Sequence, residues 1–311
     1  MEKKLNPISL REIIIGLSIA VIMLIFGAIF DFDLSKNVYD PVNTSIYGII
    51  FSGIAELPVC FLLGFSGTSM IIATRKHEAK IVRVFGIIVG IIAIGFGLYY
   101  VYDTMQDIAS FNQTVNLKTL MIAIGIVFSI AFMGLTCFIT FKLTKDYDKK
   151  ALLLFSIYGL TLILLIVIFS TGGKFIWSRP RPRYIFTQDD PSQYFHNVFT
   201  LTPFECLHVS PSDNLKSFPS GHTTYASTAM FVLPYLTLFN EKHCNNKKIQ
   251  IVLFYIGLLW ALLSAFSRVF AGAHFLSDVS AGMIITLSMG LVTNRLLFRN
   301  RENKEAISNT L

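Results

Sequence analysis

The chain has 311 residues, of which 53% are hydrophobic and only 14% carry a charged side chain. Soluble domains usually contain about 25% charged residues, so this composition argues against a soluble globular protein. The formal net charge of +7 is dispersed over short loops between apolar runs. That pattern argues against nucleic-acid binding, which calls for a clustered basic patch.

Eight apolar runs are long enough to cross a bilayer, which takes roughly 17–25 residues. They lie at about 12–30, 47–73, 84–102, 119–141, 151–171, 222–240, 249–267 and 278–297. In lipid only helices and closed barrels satisfy their backbone groups, and continuous apolar runs favour helices over alternating strands. The sequence therefore predicts an all-α integral membrane protein with about eight transmembrane helices.

The basic residues predict the orientation of these helices. Most of the 26 Lys and Arg lie in the terminal segments and in every second loop, and such loops are usually cytoplasmic. We therefore expect a multi-pass plasma-membrane protein with both termini in the cytoplasm. The long connection at 174–220 and the loop before 278 would then face the extracellular or periplasmic side.

The four cysteines predict neither a disulfide framework nor a metal site. Cys60 and Cys137 fall inside apolar runs, whereas Cys206 and Cys244 fall in loops on opposite sides of the predicted membrane. No pair has the spacing of metal ligands. We expect no metal and no cofactor.

Three polar clusters interrupt the second half of the chain, each where an apolar run meets a loop. They are Lys174 with Arg181-Pro182, then Pro219-Ser220-Gly221-His222, and then Ser267-Arg268 with His274 and Asp278. The predicted topology puts all three on the outer face of the membrane. We therefore expect them to converge there on a single site.

The cations and the helix start in these clusters suit a phosphate group. A phosphomonoester carries about −1.5 to −2 charges near neutral pH, and its transfer depends on cations positioned around its oxygens. Lys174, Arg181 and Arg268 can supply them. Ser220 and Gly221 begin a predicted helix, whose free backbone N–H groups form an anion site.

The two histidines and the aspartate divide the acid–base work. His274 precedes Asp278 by four residues, a spacing at which helical side chains face one another. Asp278 is therefore expected to accept a hydrogen bond from one ring nitrogen of His274 and to leave the other free as a nucleophile. His222 is expected to protonate the leaving oxygen.

Together the motifs Lys-x6-Arg-Pro, Pro-Ser-Gly-His and Ser-Arg-x5-His-x3-Asp resemble the signature of the type-2 phosphatidic acid phosphatase superfamily. The resemblance implies a metal-independent phosphatase that works through a phosphohistidine, with His274 as nucleophile, Asp278 as its partner and His222 as acid. It also implies phosphate binding by Lys174, Arg181, Ser220, Gly221 and Arg268. A six-helix phosphatase core would cover 84–297, with two helices at 1–83 outside it and a cytoplasmic tail at 298–311.

Three charged residues outside the motifs are left with two interpretations each. Glu56 lies inside an apolar run beside Pro58, and is either a functional carboxylate or a packing residue near a kink. Arg179 and Arg183 flank the first motif and either bind a second phosphate or anchor the chain at the headgroups, with anchoring favoured.

Several functions are compatible with this site. A lipid phosphatase acting on undecaprenyl pyrophosphate, phosphatidic acid or phosphatidylglycerol phosphate is the leading hypothesis, with a lipid phosphate as the only expected partner besides the membrane. The alternatives are a phosphotransferase that passes the group to an alcohol, a non-catalytic transporter or lipid-phosphate binder, and an enzyme for a soluble sugar phosphate. The oligomeric state is not predicted.

Overall fold

A computed structural model of the chain describes residues 7–40, 45–110, 115–240 and 243–308. These residues form helices, turns and loops, and no strand among them. Seven helices in this part of the chain are long and apolar enough to cross a membrane. They are Leu10–Val38, Ile46–Thr74, Lys80–Gln106, Thr119–Thr144, Lys149–Ile185, Lys247–Phe270 and Leu276–Leu297. The predicted class, an all-α integral membrane protein, is confirmed.

The individual helices subdivide some of these spans. In chain order they are α1 (Leu10–Val38), α2 (Ile46–Ile54), α3 (Leu57–Thr74), α4 (Lys80–Ser110), α5 (Val115–Thr144), α6 (Lys149–Trp177), α7 (Pro182–Ile185), α8 (Pro191–Tyr194), α9 (Gly221–Ala226), α10 (Ala229–Leu236), α11 (Lys247–Phe270) and α12 (Leu276–Ser308). Helix α12 thus continues past its predicted end at 297.

The predicted helix at 222–240 is broken into pieces too short to count among the seven. Helices α9 and α10 and a 3-10 turn at Thr237–Phe239 follow one another, and Pro234 lies within α10. Proline removes a backbone donor, and its ring clashes with the preceding turn. The pieces nevertheless run alongside α12, because Ser220 N donates to Asp278 O at 3.0 Å and Tyr235 Oη donates to Asn294 Oδ1 at 2.7 Å.

A second break separates α2 from α3 in the middle of an apolar run. Helix α2 ends at Ile54, and Pro58 lies in the first turn of α3. The Ala55 carbonyl at the break accepts a hydrogen bond of 3.1 Å from Trp260 Nε1 of α11. A breaking residue is tolerated in a membrane helix where neighbouring groups satisfy the freed backbone in this way.

Helix α1 packs antiparallel against α12. A Cβ atom on Gly27 would lie 2.5 Å from Ser277 N, and one on Gly16 would lie 3.2 Å from Leu287 Cδ1. The first residues of α1 and the last residues of α12 are therefore at the same end of the bundle. The polar clusters lie at the opposite end, where α6 and α11 end and α9 and α12 begin.

The outer surface of the bundle is apolar. Large hydrophobic side chains of α1, α4 and α5, such as Ile22, Phe85 and Val127, are well exposed in the isolated chain. A face of this kind suits contact with lipid tails rather than water.

The connection between α6 and α9 folds over the end of the bundle that carries the clusters. Arg181 N donates to Asn214 O at 2.8 Å, and Ser217 N donates to Arg179 O at 3.0 Å. Trp177 Nε1 donates to Val198 O at 2.6 Å, so the start and middle of the connection are also joined. These bonds bring its two ends together, and with them the first two clusters.

Candidate active site

A polar cavity of about 560 Å³ lies where the three clusters meet. Six of the eight residues predicted from the sequence line it, namely Lys174, Arg181, Gly221, His222, Arg268 and His274. The other two, Ser220 and Asp278, are fully buried and do not line it. Its volume is within the roughly 300–1,000 Å³ of typical ligand pockets. The predicted convergence of distant clusters is therefore present in the fold.

Arg181 is held by hydrogen bonds from every part of its guanidinium group. Its Nε donates to Asp213 O at 2.8 Å and its Nη2 to Asp213 Oδ1 at 2.8 Å. Its Nη1 donates to Ala273 O at 3.3 Å and lies 3.5 Å from His274 Nε2. The arginine is thus fixed between the loop at Asp213 and the turn that carries His274.

His274 Nδ1 lies 2.6 Å from the Ser217 carbonyl oxygen. A carbonyl only accepts, so Nδ1 carries the proton and Nε2 keeps its lone pair on the side of Arg181. Burial, followed by the positive charges of Arg181, Lys174 and His222, holds the pKa of His274 well below its usual value. A neutral imidazole with a free Nε2 is the form that a nucleophile requires.

The expected hydrogen bond between Asp278 and His274 is absent, and this prediction is wrong. Asp278 Oδ2 accepts from Ser217 Oγ at 2.5 Å and from Phe275 N at 2.8 Å. The four-residue spacing implied facing side chains within one helix, but α12 begins at Leu276, after His274. Asp278 reaches the histidine only through Ser217, whose carbonyl holds Nδ1.

The second oxygen of Asp278 belongs to a buried network around Arg179. Arg179 Nη1 donates to Asp278 Oδ1 at 2.6 Å, and Nη2 donates to Asp31 Oδ2 of α1 at 3.0 Å. The arginine is completely buried, with its guanidinium 4.2 Å from the centre of the Phe275 ring. Both interpretations offered for Arg179, headgroup anchor and second phosphate ligand, are therefore wrong.

The start of α9 brings Gly221 against Lys174. A Cβ atom at Gly221 would lie 3.2 Å from Lys174 Nζ, so the missing side chain leaves room for the ammonium group. Ser220 Oγ accepts from Thr223 N at 3.4 Å, which makes it the N-cap of α9. No contact in the structure supports the phosphate-binding role predicted for Ser220, which stays a prediction.

Arg268 approaches the cavity from the last turn of α11. It is buried, and its Nη2 donates to the Gly48 carbonyl of α2. Ser52, one turn further along α2, lines the same cavity. The N-terminal helices therefore form part of the wall against which Arg268 lies.

His222 meets a carboxylate that also comes from these helices. Its Nδ1 lies 3.5 Å from Glu56 Oε1, and the Glu56 side chain is almost completely buried. The sequence pointed to Glu56 through its position within an apolar run, without deciding between a functional and a packing role. The structure places it in the cavity wall.

Asp213 was not selected from the sequence. It lies in the long connection, where its two carboxylate oxygens accept from Arg181 at 2.8 Å and Arg183 at 2.9 Å. Burial acts to raise the pKa of Asp213, but the charges of Arg181, Arg183 and Lys174 outweigh it, and the pKa lies below its usual value. A lone loop aspartate carries no sequence pattern that would have singled it out.

This arrangement suits the binding and attack of a tetrahedral oxyanion. Lys174, Arg181 and Arg268 offer positive charge on several sides of the cavity. The neutral imidazole of His274 and the carboxylate-paired imidazole of His222 line the same space. A nucleophile and a proton donor can thus act on one bound group.

Comparisons with known proteins agree with this geometry. A family model described as "PAP2 superfamily" matches residues 150–302. The phosphatidylglycerophosphatase B of Haemophilus influenzae is 28% identical over 147 residues, which cover 41% of this chain and 58% of that protein. The match thus spans little more than half of the relative's length. No solved structure matches the chain significantly.

Proposed function

We propose that the chain is a PAP2-superfamily protein and that it acts as an integral-membrane lipid phosphatase. The observation that carries the proposal is the meeting of Lys174, Arg181, Arg268, His222 and His274 around one cavity. The relative named a phosphatidylglycerophosphatase supports a phosphorylated lipid as substrate. Phosphatidylglycerol phosphate is the first candidate, followed by phosphatidic acid and undecaprenyl pyrophosphate.

The proposed reaction has two steps. In the first, the His274 Nε2 lone pair attacks phosphorus, the bond from phosphorus to the leaving oxygen breaks, and His222 gives that oxygen its proton. In the second, water attacks the phosphohistidine, His222 takes a proton from the water, and the P–N bond breaks to release phosphate. The neutral state of His274 supports its role as nucleophile.

The cations have a separate role in this mechanism. Lys174, Arg181 and Arg268 stabilise the charge on the transferred group, and the loss of one such donor typically costs about 2.7–4 kcal/mol. Three hydrogen bonds to Asp213 and Ala273 fix the guanidinium of Arg181 beside the cavity. In this proposal the phosphate is bound by the chain's own cations, with no metal ion.

We also propose that the cavity opens to the outer side of the plasma membrane and that both termini are cytoplasmic. The basic loops at 75–83 and 142–150 would then be cytoplasmic, as the positive-inside rule requires. The position of the cavity at the end of the bundle opposite the start of α1 supports this orientation. Labelling of the single-cysteine variants Glu78→Cys and Asp190→Cys with an impermeant thiol reagent in intact cells tests it. Only the cysteine at 190 should react.

The decisive experiment supplies the purified protein with a panel of lipid phosphates and measures free phosphate and phosphorylated acceptors. Release of phosphate from a lipid, retained in EDTA, is the expected result. Accumulation of a phosphorylated alcohol without free phosphate would instead assign the chain a transferase activity. Binding of lipid phosphate with no turnover, unchanged in His274→Ala, would assign it a binding or transport role.

A further inference from the structure

Glu56 is a buried carboxylate that none of the three motifs includes. It comes from the break between α2 and α3, well before the segment that matches the family model. Its Oε1 lies 3.5 Å from His222 Nδ1, and its side chain is 8% exposed. A charged group within a membrane span is costly, and such groups usually mark function.

The break that carries Glu56 is stabilised by specific contacts. Glu56 occupies the N-cap position of α3, and Pro58 stands in the first turn. The Ala55 carbonyl accepts from Trp260 Nε1, at 3.1 Å. The positive end of the α3 dipole favours a carboxylate at this position. The fold therefore interrupts a membrane helix at the residue that faces His222.

We propose that Glu56 is the positioning residue of His222. By this proposal, which rests on the phosphatase function above, the Glu56 carboxylate accepts the Nδ1 proton of His222 and so directs Nε2–H at the leaving oxygen. The Nε2 proton passes to that oxygen in the first step and is replaced from water in the second. Glu56 stays ionised throughout, as does the carboxylate in a Ser-His-Asp triad.

The charges around His222 explain why such a partner is needed. Lys174 from α6, Arg181 and Arg183 from the long connection and Arg268 from α11 line the same cavity, and their positive charges disfavour a further positive charge on His222. Glu56 and Asp103 of α4 are the carboxylates on the side of the cavity formed by α2, α3 and α4. Of these two, Glu56 forms the ion pair with His222.

A distance of 3.5 Å is long for a hydrogen bond between nitrogen and oxygen. Catalytic hydrogen bonds are often long in an empty site and shorten only when substrate is bound. The bond to Glu56 is therefore expected to tighten when a dianionic phosphate fills the cavity and His222 is protonated.

The test compares two leaving groups in the variant Glu56→Gln. An alkyl phosphate needs a proton on its leaving oxygen, whereas p-nitrophenyl phosphate releases a stable anion that needs none. We expect kcat/KM to fall about 100-fold on the alkyl ester, the lower end of general-acid contributions. On the aryl ester it should fall less than about threefold, which also shows that the variant is folded.

A further measurement separates positioning from a structural role. The double variant Glu56→Gln/His222→Ala should be no slower than His222→Ala alone, since residues that act as one unit are not additive. The matched control is Glu12→Gln, which changes another buried carboxylate, in the first turn of α1. It should leave kcat/KM unchanged on both esters.

The outcomes distinguish this proposal from the function it rests on. Equal losses on the two esters, or no loss on the alkyl ester, would overturn the positioning role while leaving the phosphatase intact. If the wild-type protein hydrolyses soluble alkyl and aryl phosphates but no lipid phosphate, the lipid substrate is wrong and the comparison still decides the role of Glu56. If it hydrolyses none of them, both proposals fail.

Discussion

Arg179 Nη1 lies 2.6 Å from Asp278 Oδ1, with both side chains completely excluded from solvent. The other end of the same guanidinium group pairs with Asp31, at 3.0 Å. One buried cation thus joins the first helix, the long connection and the start of α12. The ion pair with Arg179 fixes Asp278. Asp278 accepts a hydrogen bond from Ser217 Oγ, and the Ser217 carbonyl in turn contacts His274 Nδ1.

Removal of Arg179 should destabilise the protein strongly. In Arg179→Met the carboxylates of Asp31 and Asp278 would be left buried and uncompensated, a situation that typically costs about 3–5 kcal/mol. We expect the unfolding temperature in detergent to fall by at least about 5 °C.

The control for this variant is Lys145→Met. Lys145 is paired with Asp146 at 3.7 Å on an exposed surface, where ion pairs contribute about 0–1 kcal/mol. Similar unfolding temperatures for Arg179→Met and Lys145→Met would contradict the conclusion that the buried Arg179 network stabilises the protein far more than an exposed ion pair does.

The acid limb of the pH–rate profile should report His274. Because burial and the neighbouring charges lower its pKa, His274 stays neutral below pH 6.5 and protonates only at lower pH. The midpoint of the acid limb in kcat/KM is therefore expected well below 6.5. In Arg181→Gln one opposing charge is gone, so the limb should move upward. A wild-type midpoint at or above 6.5 would falsify the assignment.

Loss of the Asp213 charge should weaken catalysis mildly. The Asp213 carboxylate accepts one hydrogen bond from Arg181, and the backbone carbonyl, which the substitution keeps, accepts another. The Asp213 side chain is 55% exposed, and exposed pairs contribute at most about 1 kcal/mol. We expect kcat in Asp213→Asn to fall no more than about fivefold. Asp190→Asn in the same connection, where the carboxylate bonds only to Ser192 and Gln193, should be silent in the same assay.

A methyl group at Gly221 should impair phosphate binding. In Gly221→Ala the new Cβ would lie 3.2 Å from Lys174 Nζ, so the ammonium group must shift away from the start of α9. The inhibition constant for inorganic phosphate is expected to rise about tenfold, which corresponds to about 1.4 kcal/mol.

Gly172→Ala provides the matched comparison. It adds the same methyl group to α6 two residues before Lys174, where no atom of the described residues lies within 4 Å apart from the neighbouring residues and backbone of α6 itself. An equal effect of both substitutions on phosphate inhibition would show that helix propensity, not crowding of Lys174, is responsible.

The sequence predicted what depends on residue type and order along the chain. Apolar runs marked the membrane helices, and cations and histidines at their ends marked the cavity. What it missed depends on where a helix begins. The pairing of His274 with Asp278 assumed that α12 includes both residues, but the helix begins between them.

Contacts between residues far apart in the chain could not be predicted from the sequence either. Whether Arg179 faces headgroups or the interior depends on Asp31, which lies 148 residues away in the chain. Glu56 did carry a signal, because a carboxylate in an apolar run is unusual. Its partner became visible only once α3 was placed beside α9.

The wall contributed by Gly48, Ser52 and Glu56 has a consequence for how related chains are compared. A fragment that began at residue 150 would keep all three motifs intact and yet open the cavity on the side facing His222 and Arg268. Two proteins with identical motifs and different N-terminal helices would therefore share the chemistry and differ in the shape offered to the leaving group. Substrate selectivity of the proposed phosphatase should accordingly be sought in the first hundred residues.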